Sequence, residues 1–81
     1  YKVEASTVAW NNSTVGSTAT CTAGDQAVSG SYTTLSAGPT SYITMTTSSM
    51  SADGGSWIFE GVGTGSGSYD SFVLCAKSST P

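Results

Sequence analysis

The chain has no histidine and only two cations, Lys2 and Lys77, among its 81 residues. Nucleic-acid binding is excluded on that count, because each neutralised phosphate needs a Lys or Arg of its own. Docking on an acidic lipid surface fails for the same reason. Large aliphatic residues are scarce as well: the sequence contains six Val, two Ile and two Leu. No run approaches the roughly 20 apolar residues of a membrane helix, so no membrane insertion is expected. Without His, a serine nucleophile has no ordinary base, and the two lysines stand near opposite termini. The chain reads as a non-enzyme without a cofactor.

What is abundant is Ser and Thr, which make up 29 of the 81 residues, with ten Gly beside them. Two Trp, four Tyr and two Phe supply the burial that the aliphatics do not. One folded domain over residues 1–81 with a thin core is expected. Ordering costs about 1.5 kcal/mol per residue, so such a core needs a staple. Cys21 and Cys75 can provide it, and closing so long a loop is worth roughly 4 kcal/mol in the loop-entropy model. Two buried free thiols are the alternative. Their separation excludes a CxxC redox motif and a multi-Cys zinc site. Pairing implies an oxidising, extracellular setting. The start at Tyr1, without a leader, fits a processed chain or an excised piece. Overlapping sequons make Asn11 and Asn12 candidate glycosylation sites, although such triplets also arise from turn composition alone.

Apolar residues alternate with polar ones along several stretches, and no window carries a helical period. Strands are expected over Lys2 to Trp10, Ser17 to Thr22, Gln26 to Thr34, Tyr42 to Met50, Trp57 to Val62 and Tyr69 to Ala76. Asn11 to Ser13, Ala23 to Asp25 and Asp53 to Gly55 read as turns. Ser36 to Thr40 reads as a loop, and Gly63 to Ser68 as a flexible one. The pattern predicts an all-β fold: a small antiparallel β-sandwich or barrel of about six strands with one disulfide. Residues 1–10 stand on a flexible tether and form either an edge strand of their own domain or a strand exchanged with another copy.

The segment Cys21-Thr22-Ala23-Gly24-Asp25-Gln26-Ala27-Val28-Ser29-Gly30-Ser31-Tyr32 resembles the C-P-A-G-K-x-[VA]-[VL]-G-G-G element of a small bacterial secreted and phage-tail-associated β-domain. Gly55-Ser56-Trp57-Ile58-Phe59 is similar to its G-x-W-x-[VF] strand, and Phe72 to Lys77 to its V-x-[AV]-x-C-A-K ending. The sequence departs from the element at Thr22, which replaces Pro, and at Ser29 and Ser31, which replace Gly. The resemblance covers about Thr18 to Lys77. It implies an appended or terminal β-module without catalytic machinery, and a Cys21–Cys75 disulfide.

Among the acids Glu4, Asp25, Asp53, Glu60 and Asp70, all but Glu60 fall in turn or edge contexts where solvation is the ordinary outcome. Asp25, Asp53 and Asp70 offer oxygen ligands in Gly/Ser loops, but no D-x-D-x-D-G calcium loop exists, and no metal is expected. Trp57 and Phe72 read as core. Trp10, Tyr32, Tyr42, Trp57 and Tyr69 are also a candidate platform for stacking on sugar rings, the alternative for Trp57 being its place in the core. Two functions therefore compete. The first is an extracellular structural or adhesive domain that self-associates as a subunit or terminal module of a surface filament or virion fibre. The second is a monomeric carbohydrate-binding module for a surface glycan or receptor. A full type IV pilin is not expected, since its long apolar helix is missing.

Overall fold

The computed structural model describes residues 1–78, and these form seven antiparallel strands in two sheets, with no helix among them. The strands are β1 (Lys2–Glu4), β2 (Val8–Asn11), β3 (Thr14–Thr20), β4 (Gln26–Ala37), β5 (Tyr42–Met50), β6 (Ser56–Thr64) and β7 (Ser66–Ala76). The expected all-β architecture with a Cys21–Cys75 disulfide is present, as a sandwich of two sheets. It is elongated, 49 × 20 × 14 Å, with a radius of gyration of 13.6 Å. A compact domain of this length would have about 12 Å.

Each sheet is built around one central strand. In the first, β7 pairs with β4 along one side and with β1 and β2, end to end, along the other. In the second, β6 lies between β3 and β5. The expected single strand from Lys2 to Trp10 is interrupted. Lys2–Glu4 faces Phe72–Leu74, whereas Val8–Asn11 faces Ser66–Tyr69, so the N-terminal side has one extra residue across Ala5–Thr7. An insertion of this kind leaves the ladder locally unpaired and bends the strand. Within the chain, residues 1–11 thus lie at a sheet edge.

The expected flexible loop from Gly63 to Ser68 is instead a tight corner that carries the chain from one sheet to the other. Strand pairing runs to Thr64 and resumes at Ser66, and only Gly65 turns, with φ of 70°. Asn12 locks this corner: its backbone N–H donates to Gly65 O, and its side-chain Oδ1 accepts from Gly65 N, both at 2.8 Å. Gly63 and Gly67 serve a different purpose. A Cβ at Gly63 would lie 2.2 Å from Trp10 Cγ, and one at Gly67 would lie 2.4 Å from Trp10 Cζ2. These glycines make room for an indole.

Two packing zones follow along the sandwich. At one end, Ala19, Ala27 and Val73 surround the disulfide, with Val3, Ala5 and Trp57 packed against them. At the other end, Trp10, Tyr69 and Phe59 are buried, and Tyr32 packs edge-on against Phe59 and Tyr69 at 5.6 and 6.2 Å. Trp57 packs against the core at the disulfide end as expected, though it is half-buried and its indole N–H donates to Ser48 Oγ at 3.0 Å. The expected core position of Phe72 needs correction. Phe72 is on the outer face of its sheet, with Lys2 Nζ 4.8 Å above its ring. Neighbouring residues of a strand point to opposite faces, so Val73 and Phe72 cannot both face inward.

Candidate functional site

The proposed aromatic platform does not assemble on the surface. Trp10 is 2% exposed and donates its indole N–H to Thr64 O at 3.1 Å. Tyr69 is fully buried, and its hydroxyl donates to Ser17 Oγ at 3.2 Å, next to Ser71. Both are interior residues whose polar tips are satisfied by the opposite sheet. Tyr42, 57% exposed at the start of β5, and Tyr32 are in contact with solvent. Asn11 and Asn12 are exposed at the β2–β3 corner.

The carboxylates organise local structure. Asp25 accepts hydrogen bonds from the Tyr1 hydroxyl and from Ser78 N, and these hold its carboxyl below the usual range, Tyr1 first. Asp53 accepts from Ser51 Oγ at 2.6 Å and from Gly55 N at 2.9 Å, closing the β5–β6 turn, and its carboxyl is lowered in the same way. Asp70 accepts from Thr7 Oγ1 at 2.5 Å across the interrupted edge. Among the described residues, no group of three or more His, Cys, Asp or Glu side chains could hold a metal ion. Cys21 and Cys75 are joined, with an S–S distance of 2.01 Å and Cα atoms 6.0 Å apart.

The most open chemistry is in the backbone. Neither sheet closes on itself among the described residues, so four sides are open to further pairing: β1 with β2, β3, β4 (apart from Ala27 N, which donates to Gly54 O at 2.8 Å) and β5. Such edges are templates for another strand, and proteins usually blunt them with charge, proline, bulges or breaks. The β1–β2 side carries Lys2, Glu4 and the Ala5–Thr7 interruption. β4 has register shifts at Val28 and Leu35, and β5 has one at Thr46. β3 has none of these devices. Its seven residues are uncharged and pair with β6 in unbroken register from Thr14↔Val62 to Thr20↔Ser56. An open groove of about 480 Å³ runs along it, between Thr14–Thr18 and Ile58–Glu60.

The phase of the β3 ladder is set at its two ends. Gly63 N donates to Ser13 O at 2.8 Å, and Cys21 N donates to Gly55 O at 2.9 Å. Hydrogen-bonded positions alternate in an antiparallel pair, so Val15, Ser17 and Ala19 bond inward to β6. Thr14, Gly16, Thr18 and Thr20 therefore turn their backbone groups outward. Sequence alternation alone does not reveal this edge, because it does not say which strand is last in a sheet. Comparison with protein families, characterised proteins and solved structures gives no match.

Proposed function

We propose that this chain is a non-enzymatic structural β-domain that works outside the cell by packing against copies of itself, as a subunit or terminal module of a surface filament or virion fibre. The observation that carries this reading is the set of open sheet edges, of which β3, β4 and β5 contain no Asp, Glu, Lys or Arg. With a net charge of only −3 on the whole chain, little repulsion opposes close packing of copies. The disulfide suits an oxidising compartment. The resemblance to secreted and tail-associated β-modules points the same way, as does the elongated shape. The carbohydrate-binding alternative loses Trp10 and Tyr69 to the interior and keeps Tyr42 and Tyr32 exposed.

Multi-angle light scattering of the native chain over a range of concentrations tests this reading. Concentration-dependent growth in mass is expected. A constant monomer mass, with retention on a glycan column, would favour the binding module.

A further inference from the structure

We infer that β3 is the strand at which a second copy adds, two β3 strands pairing antiparallel about a two-fold axis through Ser17 so that β3–β6–β5 continues into a six-stranded sheet. This rests on the self-association reading above and names the contact. The outward groups are self-complementary, and one register uses all four of them. With Ser17 opposite its own copy, Thr14 faces Thr20, Gly16 faces Thr18, Thr18 faces Gly16 and Thr20 faces Thr14. All four outward-facing residues of one copy then meet outward-facing residues of the other, as hydrogen-bonded pairs of an antiparallel ladder require. A shift of one residue would match outward groups to inward ones and lose every bond.

Side chains suit the same register. On the outer face, Thr14 and Thr20 form cross-strand Thr–Thr pairs, a favourable combination on a pleated surface. Gly16 opposite Thr18 leaves space rather than a clash. On the inner face, Val15 meets Ala19 and Ser17 meets Ser17, all small enough for strands to approach to about 4.8 Å. The nearest acid is Glu60, whose Cγ would lie 3.4 Å from a Cβ at Gly16. Two Glu60 residues would stand three strand spacings apart, about 14 Å. That exceeds the screening length of about 8 Å at physiological salt. An isologous contact of this kind also fits the prevalence of two-fold pairs among homo-oligomers.

The test uses the full chain and a set of edge variants in light scattering. Thr18→Pro removes an outward N–H without touching the bonds to β6, a position on an edge strand that tolerates proline. Thr18→Lys adds a charge at the same edge, and Thr44→Lys adds one on β5 as the control. The wild type and Thr44→Lys are expected to scatter as dimers, and both Thr18 variants as monomers with wild-type-like melting. Should Thr18→Pro not fold, Thr18→Lys decides. If the Thr18→Lys chain remains dimeric, whatever the state of Thr44→Lys, the β3 contact is wrong and the self-association reading stands. A wild type that is monomeric at every concentration overturns both.

Discussion

At one end of the sandwich, Ala19, Ala27 and Val73 surround the Cys21–Cys75 bridge; at the other, Trp10, Phe59 and Tyr69 pack with Tyr32 above glycine-lined backbone. The first zone has small side chains and little apolar surface, and a covalent bond supplies what burial does not. The second has no cross-link and gains its stability from large rings. Its cost is a demand for empty space, which Gly63 and Gly67 provide beside the indole. A chain poor in Leu and Ile can thus hold two sheets together, provided each end solves the problem by its own means.

The largest expected effect breaks the first zone. Replacing Cys21 and Cys75 together by Ala should cost about 4 kcal/mol, the loop-entropy value for so long a closure. Denaturant melts of the variant, and of wild type with and without reductant, measure it. In the second zone, Gly63→Ala would drive a methyl into Trp10 and should cost about 1–3 kcal/mol, as overpacking usually does. Cysteine replacement should leave the Trp10 fluorescence environment folded-like at low temperature, whereas Gly63→Ala should perturb it. If both variants act alike on that signal, the zones are not independent.

A smaller effect comes from pH. Asp25 and Asp53 both lie at the disulfide end and have lowered folded-state values, through hydrogen bonds from Tyr1 and Ser51 first. A lowered acid contributes stability above its unfolded value and loses it as pH falls through the folded one. The melting temperature of the wild type should therefore hold down to the ordinary value of 3.8 and decline below it. Asp25→Asn combined with Asp53→Asn should flatten that decline. An unchanged acid profile would show that these turns add nothing to stability.

Some of this fold could be read directly from residues. The strand expected over Tyr42–Met50 is β5, because the alternation of Ile43 to Thr46 stands between Gly38-Pro39 and Asp53-Gly54-Gly55. The tight corner at Gly65, where the chain changes sheets, is not legible in the same way. Glycine that turns a chain and glycine that makes room for a ring look identical in a row of letters, so Gly63 to Ser68 reads as loose. Trp10 and Trp57 show the same limit from the side of burial. Each sits on an alternating strand, and only the stacking of the sheets decides that Trp10 is interior and Trp57 half-exposed. The β3 edge needed the order of strands in the sheet as well as their residues.

Amide hydrogen exchange along β3, followed as a function of protein concentration, tests the central claim most directly. In the monomer the inward-bonded amides of Val15, Ser17 and Ala19 should exchange slowly, and those of Gly16, Thr18 and Thr20 quickly. As the concentration rises, Gly16, Thr18 and Thr20 should become protected together, with Thr14 at the end of the ladder, while the inward set changes little. Amides at Gly16, Thr18 and Thr20 that stay fast at concentrations where the protein has assembled would contradict the account.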